Sequence, residues 1–260
     1  MSFDYKIDIL LDLLKNLSLS YGDVVTIKDH NKEQHGLSKF ALLRHDIDRN
    51  PLNALKIARL EHNMGIHGTY YFRIHPSVFK PDVIREIAGM GHEIGYHYED
   101  FTKFNGNPEK AIESFKKNLE EFRKIYPVVT ICMDGKPLSI YNNLDLWKYF
   151  DYHDSGIICE PFLDTDYTKV LYLTDTGRGW NMVKYSVRDK VHENFHYYNI
   201  STAQLIADIK KGILPDQVML TIHPQRWHDR TFPWVKELIL QRLKNVVKWG
   251  LIKVREEKRV

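Results

Sequence analysis

Phe40-Ala41-Leu42-Leu43-Arg44-His45-Asp46-Ile47-Asp48 passes from a wholly apolar run into a cluster of charge within nine residues. Four consecutive apolar residues bounded by polar sequence read as a short buried strand. Charge crowded just past the end of such a strand is where parallel α/β sheets carry their ligands. The flanking sequence repeats the same unit. Pro51 opens a helix with Ile57, Leu60 and Met64 on one face, Gly65 stops it, and Gly68 to Ile74 reads as the next strand. Pro81 opens a second helix that closes near Gly89 and Gly91, after which His92-Glu93-Ile94-Gly95-Tyr96-His97 is a strand ending in a histidine. Asn107-Pro108 is a cap and first-turn pair for a helix with Ile112, Phe115, Leu119 and Phe122 inward, leading to a strand over Val128 to Met133.

Before this series, Ile7, Leu10, Leu11 and Leu14 recur at helical spacing, so residues 1 to about 20 form an amphipathic helical extension. Tyr141 to Asp166 is rich in tyrosine and aspartate and declares no element; its Asp164-Thr165-Asp166 reads as turn chemistry. Strands resume at Val170 to Thr174 and Val218 to Ile222, with a helix from Ser201 to Lys211 between them. A long helix carrying Val235, Leu238, Ile239, Leu243 and Val246 follows. Alternating strands and helices require a parallel sheet, as a barrel or a doubly wound fold.

At 260 residues one α/β domain accounts for the chain, and 43% apolar against 27% charged residues excludes disorder. A net charge of +3, with only Lys253 to Arg259 locally basic, gives no reason to expect nucleic acid. No run is long enough to span a bilayer. Asp4, Asp8 and Asp12 interrupt what a signal peptide would need as an apolar core, so the expected location is the cytoplasm. Cys132 and Cys159 have neither zinc-knuckle nor redox-pair spacing and are expected to be buried thiols.

Four polar clusters follow strands: His45 to Asp48, His97 to Asp100, Asp134 to Pro137, and Thr221 to Pro224. If they meet at one mouth, Asp46 and Asp48 can divide two tasks, one binding a cation and the other taking a proton. Carboxylate and imidazole together suit a divalent metal with an open position for water, whose pKa falls to about 7 on zinc. A leaving amine needs an acid, and His223, with an ordinary pKa of about 6.5, is the candidate. The plainer alternatives are that an aspartate pair after a strand caps a helix and that single histidines are structural. His45, His75, His92 and His153 are read in that structural way.

These clusters, in this order, resemble the polysaccharide deacetylase family, which includes chitin, peptidoglycan and chitooligosaccharide N-deacetylases. The resemblance spans roughly residues 39 to 227 and implies an α/β fold of the distorted parallel (β/α) barrel type. Leu43 to Asp48 is similar to its first motif, which implies Asp46 as base and Asp48 as metal ligand. Gly91 to His97 is similar to the second, implying His97 as a ligand. Leu173-Thr174-Asp175 through Trp180 looks like the fourth, implying that Asp175 tunes the catalytic histidine and Trp180 lines the pocket. Leu220 to Pro224 resembles the fifth, with His223 as the acid. Two positions depart from the family's pattern. Phe101 stands where a second metal histidine is usual, and Met133 to Pro137 offers an acid where the third motif carries an arginine that positions the base. Asp134 is therefore taken as the replacement ligand, ahead of Glu99 and Asp100, with Pro137 beside the substrate. The implied activity is a metal-dependent hydrolase, zinc the expected ion, that removes an N-acyl group, above all acetyl, from an amino sugar or a cytoplasmic glycan precursor. The rival readings are hydrolysis of another non-peptide carbon–nitrogen amide and a catalytically silent glycan-binding relative that has lost its metal.

Overall fold

The computed structural model describes residues 4–32, 38–182, 188, 191–192, 194–198 and 200–257, with side chains at 32, 248 and 251–257 left aside. The basic side chains of the tail from Lys253 onward therefore lie outside the described residues. Seven parallel strands are found among them: β1 (Val24–Val25), β2 (Phe40–Ile47), β3 (Thr69–Phe72), β4 (Glu93–Tyr98), β5 (Ile131–Met133), β6 (Leu171–Thr174) and β7 (Gln217–Ile222). The sheet order is β5-β4-β3-β2-β7-β6, and β1 pairs with the start of β2. Each strand from β2 to β7 begins or ends within three residues of its sequence-based expectation, while β1 was not expected. The crossovers are the expected helices, chief among them α3 (Pro51–Asn63), α4 (Pro81–Gly89), α6 (Pro108–Arg123) and α8 (Thr202–Lys210), while the short α2 (Ile27–Lys32) and α5 (Asp100–Lys103) precede β2 and follow β4. The Asn107 side chain accepts from the Lys110 amide at 2.9 Å, as its cap position requires. α1 (Ile7–Tyr21) packs through Leu10, Leu13, Leu14 and Leu17 into the same apolar cluster as Leu205, Ile206 and Ile209 of α8. The extension is thus part of the core.

Period-two alternation sorts every strand into two faces. On β2, Ala41 and Leu43 join the cluster that holds α1 and α8, and Ile47 joins the one that holds α3 and α6. Phe40 and Leu42 point the other way, into a third cluster with Tyr71 of β3, Cys132 of β5, Tyr172 of β6 and Met219 of β7. Side chains from strands that are not neighbours meet only if the sheet curls round them, so this third cluster is the interior of a distorted parallel (β/α) barrel. It stays open between β5 and β6. There Cys159 bridges alongside Thr130, and the Cys159 carbonyl accepts from the Ile131 amide at 3.1 Å, partly filling the gap. Both cysteines are buried free thiols. Within Tyr141 to Asp166, where the sequence declared nothing, the chain forms two 3₁₀ turns (Asn143–Lys148, Tyr152–Ser155) and α7 (Pro161–Asp164).

Gly95, on the inner face of β4, shows how tightly the interior is filled. A methyl group there would overlap the ring of Tyr71 and come within 3.1 Å of the Thr130 carbonyl. Gly95→Ala is expected to lower unfolding stability by about 1–3 kcal/mol through overpacking. Urea titration of the purified variant checks this; an unchanged midpoint would mean that the ring moves aside freely.

Candidate functional site

The inner-face alternation that runs through Phe40 and Leu42 continues through Arg44 and Asp46 and reaches Asp48 one residue past the end of β2. The same rule turns His97 of β4 inward, and His223 follows β7 on the face of Met219 and Thr221. Asp46, Asp48, His97, Asp134 and His223 line one small pocket at the carboxyl ends of the strands, together with Gly135, Lys136, Pro137, Thr176 and Arg226. The four polar clusters do meet at one mouth.

Asp46 is buried and held by a two-pronged ion pair. Arg44 Nε donates to Oδ1 at 2.9 Å and Nη2 to Oδ2 at 2.7 Å. Arg44 is itself only 1% exposed, with its guanidinium over the rings of Phe162 and Tyr71. Burial would lift the Asp46 carboxyl, but the fields of Arg44, His97 and His223 outweigh it and hold the group well below the ordinary carboxylate range. The sequence offered no arginine at Met133 to Pro137 to hold the expected base, and the structure supplies one to Asp46 from within β2. Residues two apart on a strand share a face, so this partner was legible in Arg44-His45-Asp46 and was missed.

The Cys132 carbonyl, 2.9 Å from His97 Nδ1, can only accept, so Nδ1 carries a proton and Nε2 is the nitrogen left toward the pocket. Nε2 lies 3.7 Å from Asp48 Oδ1. Asp48, His97 and Asp134 each offer one ligand atom within 4.8 Å of the other two. Ligands about 2.1 Å from a shared tetrahedral ion sit roughly 3.4 Å apart, so the trio fits a divalent cation after small adjustments. Asp46, His97 and the Cys132 thiol form a second such group, deeper and fully buried. Gln225 Nε2 donates to Asp48 Oδ2 at 3.0 Å, leaving Oδ1 toward His97. Asp134 is less free: Oδ2 lies 3.0 Å from Arg73 Nε, and Oδ1 accepts from the Lys136 amide at 3.1 Å.

The other acids near this position are committed elsewhere. Glu99 is paired with Arg73 and Lys136, and Asp100 accepts from Tyr96, Ser114 and Asn118. Phe101 is buried near Tyr141 and Tyr149.

Asp175, just past β6, is fully buried and satisfied by four donors. His223 Nδ1 lies 2.6 Å from Oδ1 and the His223 amide 3.0 Å from Oδ2, with Arg226 Nη1 on Oδ1 at 2.5 Å and Trp227 Nε1 on Oδ2 at 3.0 Å. Burial raises its pKa, but Arg226 and His223 outweigh that and hold it below the usual value. His223 is thereby fixed in orientation with Nε2 left for the pocket. Arg226 and Trp227 were not singled out in the sequence; they lie on the turn after Pro224, three and four residues beyond the histidine they support.

One expectation is corrected. Trp180 does not line the pocket: it is 0% exposed, donates through Nε1 to Thr202 Oγ1 at 3.0 Å and packs in the cluster of α1 and α8. Chain distance from Asp175 was a poor guide, because the backbone turns away from the rim after Gly177. The remaining histidines have structural settings. His45 faces Glu61 at 2.9 Å on the outer side of β2, His92 bonds the Ala58 carbonyl, His75 bonds Ser77 and His153 bonds Asp151.

No family model matches the chain, and no curated protein matches it. Among solved structures it is similar to a mutant CE4 family pseudoenzyme with restored enzymatic activity, at 10% identity and TM-score 0.45, covering 82% of this chain and 65% of that one. It is also similar to a Streptococcus mutans CE4 esterase, at 13% identity and TM-score 0.45 over 88% of this chain and 90% of that one. A third is the peptidoglycan deacetylase PdaC from Bacillus subtilis, at 16% identity and TM-score 0.43 over 85% and 95%.

The Asp175 cluster has a defined pH signature. A carboxylate whose folded pKa is depressed stabilises the fold above its unfolded value, near 4, and that contribution fades as pH falls toward the folded value. Asp175→Asn is therefore expected to cost about 3 kcal/mol at pH 7, by stranding Arg226, and distinctly less near pH 3. Urea unfolding at both pH values measures the gap, and an equal loss at both would contradict an ionised Asp175.

Proposed function

We propose that this chain is a metal-dependent hydrolase of the polysaccharide deacetylase type that removes an N-acyl group, above all acetyl, from an amino sugar. The observation that carries the reading is the convergence of Asp46, Asp48, His97 and His223 on one small pocket, each oriented by its own partner. A divalent ion, zinc in the first instance, would be held by Asp48, His97 and Asp134. When bound it supplies polarisation of the amide carbonyl and acidifies a coordinated water.

The residues divide the remaining work. Asp46, kept ionised by Arg44, accepts the proton of the attacking water as its oxygen bonds to the acyl carbon. Asp175 holds His223 Nδ1, so that Nε2 delivers a proton to the amine nitrogen as the carbon–nitrogen bond breaks. One water is consumed, and a carboxylic acid and a free amine leave. The pocket is small, as an acetyl group requires, and Lys136 and Pro137 stand at its edge where the sugar would rest.

The second reading, a glycan-binding relative without metal, is favoured by the ion pairs of Asp134 and Glu99 with Arg73 and Lys136, which already neutralise that side of the mouth. Metal analysis and acetate release from a panel of N-acetylated amino sugars, with simple amides and cyclic ureides alongside, separate the readings. The expected outcome is bound zinc, acetate from sugars alone, and loss on chelation. Asp46→Asn and His223→Ala are each expected to lower kcat by about 10²- to 10⁴-fold. Metal-free protein in every preparation, together with no acetate, would sink the enzyme. A separate measurement tests the third ligand: Asp134→Ala is expected to bind zinc at least tenfold more weakly, and unchanged affinity would remove Asp134 from the set.

A further inference from the structure

The long final helix, α9 (Thr231–Glu257), lies against the body through mainly polar residues, with Trp234 and Leu238 half-buried beside them. Glu237, Gln241 and Asn245, spaced four apart, are its buried face. Arg49 Nη2 donates to Glu237 Oε1 at 3.1 Å, and Asn245 Nδ2 donates to the Gly177 carbonyl at 2.9 Å. Phe232, Val235, Ile239, Leu243, Val246 and Val247 are between 39% and 80% exposed. At 3.6 residues per turn they fall within about 60° of the direction opposite Gln241. An amphipathic helix usually packs the other way round, and among the described residues nothing covers this apolar face.

Charge indicates which partner. α9 holds six basic residues and three acids; Glu237 is on the buried face, and Glu256 and Glu257 close the helix. Lys236 is exposed among the apolar side chains, and the exposed Arg242 and Lys244 flank them. A second copy of the chain would bring two such basic faces together, at a cost in repulsion. An anionic bilayer accepts both components, the apolar side chains in its acyl boundary and the ammonium groups among its phosphates. No helix among the described residues is long and apolar enough to cross a membrane, so the contact is with the surface.

The position of α9 ties this face to the site. Arg49 is the residue after Asp48, and Gly177 lies two residues beyond Asp175. We propose that α9 is an interfacial helix that seats the protein on an anionic lipid surface, with the pocket of Asp46 and His223 beside it. The proposal stands whether or not the pocket is a deacetylase.

Flotation of the full chain with vesicles of phosphatidylglycerol in phosphatidylcholine, against phosphatidylcholine alone, tests it. Binding to the anionic vesicles alone is expected, weakening as salt rises. Lys236→Gln and Lys244→Gln are each expected to weaken it about fivefold, and Ile239→Asp with Leu243→Asp roughly a hundredfold. All four positions are exposed, so circular dichroism melts should match the parent. Three results would overturn the proposal: no flotation at low salt, equal flotation of the double aspartate variant, or a dimer by light scattering that this variant dissolves. The last would assign the face to a second copy.

Discussion

Inside the barrel, where most neighbours are apolar, a guanidinium and a carboxylate two residues apart on β2 share a pair of hydrogen bonds. Removing two charges from water is costly, and only near-ideal geometry with nearby polar groups compensates. The strand provides that geometry because residues at i and i+2 share a face. The pair has a structural consequence: it ties the inner face of β2 to a single register, since a slip by one residue would turn Arg44 and Asp46 into the helical layer. Asp48 inherits its inward direction from the same register, so Asp46 and Asp48 are positioned by one interaction.

The rest of the mouth is built on the same economy. Three side chains at the mouth each have a partner that leaves one atom toward the pocket. The Cys132 carbonyl takes one nitrogen of His97, Asp175 takes one nitrogen of His223, and Gln225 takes one oxygen of Asp48. The partners come from different strands, β5, β6 and the turn after β7, so the arrangement exists only when the sheet has curled. The opening between β5 and β6 is where the regular pattern breaks, and the long irregular connection from Tyr141 to Asp166 accounts for it: that chain fills the gap with Cys159 where a closed barrel would have a paired strand.

Opposite charges on the two sides of the pocket give it an uneven character. Arg73 and Lys136 face Asp134 and Glu99 on one side, while Arg226 faces Asp175 on the other. A divalent cation at Asp48, His97 and Asp134 would compete with Arg73 for one carboxylate. The strength of that competition is what separates the two readings, a metal enzyme and a binding protein.

The order of strands and helices was legible along the chain because apolar periodicity and Gly and Pro punctuation are local, and they act before any tertiary contact forms. Asp46, Asp48, His97 and His223 were legible for the same reason: each follows an apolar run that had to be a strand. The pairing of Arg44 with Asp46 was equally local, and only attention to the strand's faces was needed to see it. The burial of Trp180, the support of Asp175 by Arg226 and Trp227, the ion pairs of Asp134 and the outward apolar face of α9 were decided by the tertiary structure alone. Each depends on which remote segment arrives next to which, and sequence periodicity states that a face is apolar without stating what will cover it.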